Sequence, residues 1–283
     1  MAHPAVASKL PPFTLLEEPL LAFSPANPDE VDVHPLRGLV RYGPFSKGSF
    51  SGFTSKVRVA TVGPESAFKR RGALMASLRE TYDPSDRSEY VPKYPGFEHL
   101  FKVELVSAPS TAHIRWPDSL GQLPGQGSAE ARLFEAMDAA LRRLESVRNE
   151  FDVVLVHFPD PWAPATRAKG FDAHDALKAL GAKYNIPTQV INDRAFTFTY
   201  KASLAWRLAI ALYVKAGGIP WKLARVRGVH DDTAYIGLAY ALRGDQREAH
   251  YVTCCSQVFD MDGGGMQFVA FEARDPVADL AEA

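Results

Sequence analysis

The sequence predicts an α/β protein in which a doubly wound parallel sheet is followed by a smaller antiparallel unit. Three observations lead to this fold class. Strand-like and helix-like runs alternate between residues 56 and 218. Residues 152–158 are nearly all apolar, which is typical of a central parallel strand covered on both faces. After residue 229, three strand-like runs follow one another without a helical run between them, which indicates antiparallel pairing.

The composition is that of an ordinary globular chain and excludes several classes of protein. A chain of 283 residues with 46% hydrophobic and 23% charged residues can build one large or two modest domains with a real core. The net charge of −1 excludes a globally basic protein, so a nucleic-acid partner needs a local basic patch. No run approaches the roughly 18 apolar residues of a membrane helix, and no secretory signal is visible. We therefore expect a cytoplasmic protein without a membrane partner.

The first 50 residues are predicted to form an N-terminal arm, because they are rich in proline and glycine and poor in periodicity. Residues 15–23 could be a short strand or an extended arm. Residues 34–45 are interpreted as a turn-bounded extended segment, because Gly43 and Pro44 stop regular structure.

The alternating region predicts four strands and four helices. In the first strand, Val57 and Val59 fall on one face, and Ala60 and Val62 fall on the other together with Arg58, which resists burial. The predicted strands are residues 56–62, 102–106, 152–158 and 188–191. The predicted helices are residues 64–81, 129–147, 172–184 and 200–216.

The last part of the chain predicts three antiparallel strands at residues 233–243, 250–259 and 266–272. The run Asp-Met-Asp-Gly-Gly-Gly from Asp260 is a strong hairpin turn. Cys254 and Cys255 are neighbours in the middle strand and point to opposite faces, so we expect two ordinary thiols in a reducing compartment. The predicted divisions are an N-terminal arm at 1–50, a main domain at 51–222 and a partial second domain at 223–283.

Four polar residues at the ends of adjoining elements form a candidate phosphate pocket. His174 and Lys178 are four residues apart and share a helix face, Gln189 lies in a strand-like run, and Lys215 ends the next helix. Lysine supplies a point charge, and glutamine and histidine supply directed donors. Taken singly, each residue also fits an ordinary solvated or strand position, so the spacing alone leaves both interpretations open.

The residues around this pocket resemble the junction between the MID and PIWI domains of the Argonaute family. The resemblance lies in a His-x-x-x-Lys helix followed by Ile-Pro-Thr-Gln, and in a helix ending Tyr-Val-Lys-Ala-Gly-Gly-Ile-Pro-Trp. It is closer to the short prokaryotic Argonautes, which lack the N-terminal and PAZ domains, and it covers roughly residues 34–272. It implies a Rossmann-like MID domain at 51–222 and the first strands of an RNase H-like PIWI domain at 223–283, a remnant of a larger domain.

The resemblance also implies a role for each residue of the pocket. The MID domain of this family holds the 5′ phosphate of a guide strand, RNA or DNA. His174 would contact the first guide nucleotide, while Lys178, Gln189 and Lys215 would bind its phosphate, often together with Mg²⁺. Basic residues that could contact the next guide phosphates, although ordinary surface charge explains them equally well, are Lys183, Lys201, Lys222, Arg225 and Arg227.

The strand that begins at Thr233 resembles the opening strand of the PIWI domain. Cleaving members carry an aspartate two residues before or after its glycine as the first metal ligand. Around Gly237 these positions hold Tyr235 and Ala239, and neither side chain can ligate Mg²⁺ as a carboxylate does. Asp231 and Asp232 lie too early in the chain to replace it. The sequence therefore predicts an Argonaute that does not cleave.

The resemblance further implies partners. The guide would pair with a complementary target strand, and target recognition would activate a protein that carries an APAZ-type region and a TIR, sirtuin-like or nuclease effector, in defence against plasmids or phage. Two alternatives remain open. One is an enzyme, either a metal-dependent nuclease or a hydrolase of small phosphorylated ligands, and the other is a scaffold that has lost the guide.

One further segment lies at a strand end. His157 and Asp160, in His-Phe-Pro-Asp, could line a pocket, although core packing and a turn explain them as well.

Overall fold

The structure is a computed structural model, and it describes residues 17–48, 56–85, 87–122, 128–225, 228–230, 232–243, 250–261 and 265–271. Its α-helices are α1 (Pro35–Tyr42), α2 (Phe68–Ser77), α3 (Phe97–Phe101), α4 (Ala129–Glu145), α5 (Ala163–Thr166), α6 (Ala173–Lys183), α7 (Arg194–Thr197) and α8 (Lys201–Lys215). The strands are β1 (Leu21–Ala22), β2 (Val31–Asp32), β3 (Lys56–Pro64), β4 (Glu104–Ser107), β5 (His113–Trp116), β6 (Val153–His157), β7 (Arg167–Ala168), β8 (Phe171–Asp172), β9 (Thr188–Ile191), β10 (Lys222–Leu223), β11 (Ala234–Arg243), β12 (His250–Asp260) and β13 (Gly265–Phe271).

A parallel sheet organises the main domain, as the sequence predicts. Its strands follow the order β4-β3-β6-β9, and β5 pairs with the second half of β3 on the same side as β4. The chain therefore leaves β3 toward one side of the sheet and later returns to place β6 on the other side. The strand order reverses between β3 and β6, and ligands of open α/β sheets bind outside the carboxyl ends of the strands at such a point.

Both faces of this sheet are covered by helices, so the doubly wound prediction is confirmed. On one face, Ala60 and Val154 belong to a core that includes the buried side chains of α4 and α6. On the other face, Val59 and Leu155 belong to a core that includes those of α2 and α8. A valine or leucine side chain in these cores stabilises the fold by roughly 1.5–3 kcal/mol when buried. The sheet is thus a rigid frame for the residues at its edges.

The N-terminal arm differs from its prediction. Residues 35–42 form helix α1, so the extended interpretation was wrong. The His34 ring caps the helix by accepting a hydrogen bond from the Arg37 amide at 3.2 Å, and Pro35 suits the first helical position because its ring presets φ. Gly43, at a φ of +82°, ends the helix. The glycine and proline do stop regular structure, but the structure they stop is helical.

The arm is also tied to the segment behind α8. Strand β1 pairs with both β2 and β10, so Leu21 lies opposite Leu223. The boundary predicted at residues 222 and 223 falls inside β10. The Ser46 hydroxyl and the Tyr213 hydroxyl are 2.7 Å apart, which fixes the end of the arm against α8.

Several short elements escaped the sequence prediction. The helix predicted at 64–81 is a 3₁₀ turn at Glu65–Ala67 followed by the shorter α2. The strand predicted at 102–106 begins later, because α3 precedes it and ends at Lys102 in the left-handed conformation with φ +58°. Strand β5 was missed as well, since four residues are too few for a clear period.

The last described strands form a separate antiparallel sheet in the order β11-β12-β13, as predicted. Ala239 lies opposite Cys255 in this sheet. Residues 262–264 of the predicted hairpin turn and the side chains of the two cysteines lie outside the described part of the chain, whereas Gly265 begins β13 opposite Phe259. Among the described helices, none has the length and apolar character needed to cross a membrane.

Candidate phosphate-binding site

Strand β9 is the last strand of the described parallel sheet, and the predicted pocket is built around it. Helix α6 packs on one face of the sheet and α8 on the other. Lys178 in α6 and Lys215 in α8 therefore approach the β9 edge from opposite faces. Gln189 lies in β9 itself. The topology brings these three side chains to one edge although 37 positions separate the two lysines in sequence (215 minus 178).

Lys215 and Gln189 are in direct contact. The Lys215 ammonium donates hydrogen bonds to the Thr188 carbonyl and, at 2.9 Å, to Gln189 Oε1. Gln189 Nε2 in turn donates to the Val190 carbonyl at 2.9 Å. Both side chains are partly buried, and the position of Lys215 in the last turn of α8 places its charge where the helix dipole stabilises a cation. The lysine is thus held in one orientation before any ligand binds.

The electrostatics of this edge favour an anion. Burial lowers the pKa of Lys215, and the nearby positive charge of Lys178 lowers it further. Within the described residues, neither lysine forms an ion pair with a carboxylate. The ammonium of Lys215 has three donors, and its two protein contacts leave one for a ligand. A phosphate placed between the lysines would relieve their mutual repulsion.

His174 lies one helical turn before Lys178, but its ring faces a neighbouring cleft. This cleft has a volume of about 530 Å³ and lies beyond the carboxyl ends of β6 and β9. His174 Nδ1 is 3.5 Å from the Asp175 carboxylate. The Asp172 carboxylate accepts hydrogen bonds from the backbone amides of His174 and Asp175, at 2.8 and 3.2 Å, and so caps α6. The structure therefore places His174 in more acidic surroundings than the lysines.

Three residues that the sequence analysis did not select complete the two clefts. Gln189 lines a cleft of about 350 Å³ together with Asn192, Arg194 and Arg207. Asn192 and Arg194 also line the cleft at His174, so they connect the cleft at Gln189 with the cleft at His174. The signal that could have found them is their position directly after a parallel strand, where open α/β sheets bind ligands.

The remaining basic residues are dispersed. Lys183 forms an ion pair with Asp138 at 3.1 Å. Lys201 begins α8 and lies 5.8 Å from the Tyr82 ring centroid, about 21 Å along the helix from Lys215 at 1.5 Å per residue. Lys222 lies over the Phe45 ring at 5.5 Å. Arg225 is exposed, and Arg227 falls outside the described residues. The four described ones do not form one continuous basic track with the lysine pair.

The side chains available for the predicted Mg²⁺ lie beside the lysine pair. In the described residues, the one group of histidines and acids whose candidate ligand atoms all lie within 4.8 Å of one another is Asp172, His174 and Asp175. Mg²⁺ prefers oxygen ligands, which the two carboxylates supply. Lys178 and Lys215 offer none and would repel a cation. Among the described residues, the chemistry therefore fits a metal on the His174 side rather than between the lysines.

The predicted position of the first cleavage ligand holds no acid. Ala239 is exposed in β11, and Tyr235, two residues before Gly237, is exposed as well. Asp232 precedes β11, and its amide donates a hydrogen bond to the His230 ring at 3.2 Å, which is typical of a turn residue. Asp231 lies outside the described residues.

Comparison with solved structures shows that the chain has an Argonaute fold. The comparison with family models finds no match, and neither does the comparison with curated protein sequences. The structure of Aquifex aeolicus Argonaute with externally bound siRNA matches with a TM-score of 0.53 and 14% identity, over 90% of this chain and 31% of that one. The Argonaute of Methanocaldococcus jannaschii matches with a TM-score of 0.50 and 12% identity, over 94% of this chain and 35% of that one. The chain thus spans about a third of each.

Proposed function

We propose that this chain binds the 5′ phosphate of a guide RNA or DNA at the β9 edge, and that the guide recognises a complementary target strand. One observation carries the proposal. Lys215 is held by Gln189 and Thr188 within the field of Lys178, and no carboxylate of the described residues is paired with either lysine. The likeness in fold to an Argonaute that was solved with bound siRNA supports a nucleic acid as the ligand.

The terminal phosphate of a guide suits this edge better than an internal phosphate does. A terminal phosphate carries up to two negative charges and three strongly accepting oxygens, so it can accept from both lysines at once. The first nucleotide would then extend toward His174, and Asn192 and Arg194 would lie along its path between the two clefts. Mg²⁺ held by Asp172 and Asp175 would supply positive charge beside the guide.

The proposal includes recognition without cleavage. Ala239 and Tyr235 supply no carboxylate at the position expected for the first metal ligand. Target binding would then act, in the cytoplasm, through a partner protein with an APAZ-type region and a TIR, sirtuin-like or nuclease effector, as a defence against plasmids or phage. Mg²⁺-dependent cleavage of a guide-matched target by the purified chain would contradict this part and favour the nuclease alternative.

The test compares guide oligonucleotides with a 5′ phosphate or a 5′ hydroxyl. In the full chain, Lys178→Ala combined with Lys215→Ala should remove the preference for the 5′ phosphate. Each charge-assisted hydrogen bond contributes about 1.5–3 kcal/mol, so the phosphorylated guide should bind at least ~10-fold more weakly. Fluorescence anisotropy measures both affinities.

A matched control is Lys201→Ala, which removes a lysine from the opposite end of α8. We expect this variant to keep the preference for the 5′ phosphate. If the double variant retains the preference, or if the wild-type chain has none, the site is assigned incorrectly. A loss caused equally by Lys201→Ala would indicate general charge attraction instead of a pocket.

A further inference from the structure

A groove follows helix α8 on the face of the sheet that α2 also covers. It consists of two clefts. One is the cleft of about 350 Å³ at Gln189, and the other has a volume of about 400 Å³ and lies between α2 and the beginning of α8. Ala195, Phe198 and Leu204 line both clefts, so the clefts adjoin on the two sides of the Phe198 ring. We call the two together the α8 groove.

The floor of the α8 groove is apolar. Leu74 in α2, Leu78 after it and Leu208 in α8 line the groove and are at most 6% exposed. Leu204 lies one turn before Leu208 on the same face of α8. Phe198 between the clefts is 37% exposed. An occupant of the groove can therefore bury apolar side chains on either side of the Phe198 ring.

The lining of the groove is positively charged. No aspartate or glutamate lines either cleft. The cations that line the clefts are Arg70, Arg194, Lys201 and Arg207. Arg70 pairs with Asp193 at 3.4 Å, whereas the other three form no ion pair with a carboxylate of the described residues. The groove is therefore electrostatically complementary to an anionic partner.

The aromatic rings at the groove favour a peptide over a single-stranded nucleic acid. Successive bases of a single strand stack on the faces of aromatic side chains. The rings of Phe198 and Tyr200 are 5.7 Å apart and inclined at 73°, so the edge of one ring is directed at the face of the other. They do not offer two parallel faces to neighbouring bases. The buried leucines of the floor fit aliphatic side chains instead.

The spacing of two cations indicates the spacing of the acids that would pair with them. Lys201 and Arg207 are about 9 Å apart along the axis of α8, at 1.5 Å per residue. Three residues of an extended chain span about 10 Å. Two carboxylates that are three positions apart in an extended peptide can therefore reach both cations, and Leu204 lies between these cations in α8.

We propose that the α8 groove binds an extended acidic segment of a partner protein, in which an apolar residue lies between two carboxylates. The carboxylates pair with Lys201 and Arg207, and the apolar side chain enters the groove beside Phe198 and contacts Leu204. The groove shares the cleft at Gln189 with the proposed guide path, but neither Phe198 nor Lys201 takes part in binding the 5′ phosphate. The peptide site therefore does not depend on the guide site.

The test titrates the full chain by calorimetry with a synthetic peptide that repeats the tripeptide Glu-Leu-Ser. One comparison peptide has glutamine in place of glutamate, and another has serine in place of leucine. We expect the Glu-Leu-Ser peptide to bind, and both comparison peptides to bind at least ~10-fold more weakly. Lys201→Glu and Phe198→Ala should each weaken binding of the Glu-Leu-Ser peptide at least ~10-fold. Both variants change exposed side chains, and the comparison peptides test the same contacts in the unaltered chain.

Lys69→Glu is the matched control for the charge reversal. Lys69 is exposed on α2 and lines neither cleft, so this variant should keep the affinity for the peptide. Lys178→Ala combined with Lys215→Ala should also keep it, because these lysines lie outside the groove. A failure of the 5′-phosphate test is thus separate from a failure of the peptide test.

The proposal is wrong if the Glu-Leu-Ser peptide does not bind, or if Lys69→Glu weakens binding as much as Lys201→Glu does. A single-stranded oligonucleotide with a 5′ hydroxyl that displaces the peptide, and that itself binds more weakly to Phe198→Ala, would assign the groove to nucleic acid. Self-association of the chain without peptide, measured by sedimentation and abolished by Phe198→Ala, would assign the groove to a second copy. Either result would also overturn the proposal.

Discussion

His157 gives the folded protein a dependence on pH that can be calculated from its burial. The pKa of its imidazole is about 4 in the folded protein and about 6.5 in an unfolded chain. Below pH 6.5 the unfolded state binds a proton that the folded state does not bind, so stability falls as the pH falls from about 6.5 toward 4. Between pH 7.5 and pH 5.0, this one group should lower the free energy of unfolding by about 2 kcal/mol.

His157→Phe isolates this contribution. The phenyl ring removes both nitrogens and has room, because His157 lines a cavity of about 200 Å³ between the carboxyl ends of β3 and β6. At pH 7.5 the variant should be as stable as the wild type or more stable, because an unsatisfied buried polar group costs about 1–3 kcal/mol. At pH 5.0 its advantage should increase by the further ~2 kcal/mol that the wild type loses.

The assay is urea unfolding followed by circular dichroism at both pH values. His174→Phe, which changes an exposed ring, is the matched control for the substitution itself. The decisive quantity is the difference between the two pH values, because any packing defect of the variant is present at both. If His157→Phe and the wild type lose the same free energy between pH 7.5 and 5.0, the ring is not buried in neutral form and the reasoning is refuted.

Two predictions concern the guide site. Arg194→Ala should weaken guide binding about 10-fold while the preference for a 5′ phosphate persists, because Arg194 lines both clefts without contacting the lysine pair. If fluorescence anisotropy shows that the variant also loses the preference for the 5′ phosphate, this prediction is wrong. Asp172→Ala should lower the free energy of unfolding by about 0.5–2 kcal/mol through loss of the α6 cap, and in EDTA it should strengthen guide binding by removing a negative charge beside His174. If Asp172→Ala binds the guide more weakly than the wild type does in EDTA, the electrostatic argument is wrong.

The parts of the fold that the sequence predicts are those in which one periodicity dominates. In β3 the alternation of Val57 and Val59 with Ala60 and Val62 defines its two faces, and the structure places them in two separate cores. Arg58 resists burial as expected, because it pairs with Asp152 at 2.8 Å and remains at the strand's beginning. A run with strong alternation leaves few choices for its strand register.

Helix α1 shows what sequence patterns leave undetermined. Glycine and proline between residues 35 and 44 mark a boundary, but they do not state whether the structure before it is helical or extended. The decision depends on the His34 cap and on the packing of Leu39 beneath the arm. Neither contact is visible in a local pattern, because each depends on the tertiary position of the segment.

The residues of the candidate sites also differ in whether a sequence pattern could identify them. Gln189 and Lys215 could be selected from the sequence because a motif relates them, and the structure brings them into contact. Asn192, Arg194 and Arg207 belong to no motif, and only the folding of α7 and α8 against β9 brings them to the same cleft. His157 was left open between a pocket and core packing, and its burial, unknown from the sequence, places the ring in the interior with Nε2 3.3 Å from the Asp193 carboxylate.

The loop after β9 divides its side chains between the clefts at the sheet edge and the interior around His157. Asn192 and Arg194 line the clefts at Gln189 and His174, whereas Asp193 between them pairs with Arg70 and His157. The Asp193 carboxylate also accepts a hydrogen bond from the Asp160 amide at 2.9 Å, which ties this loop to the one after β6. Adjacent residues of one loop thus face different clefts. Because the Asp193 carboxylate is engaged by Arg70 and His157, it adds no unpaired negative charge to the clefts that Asn192 and Arg194 line.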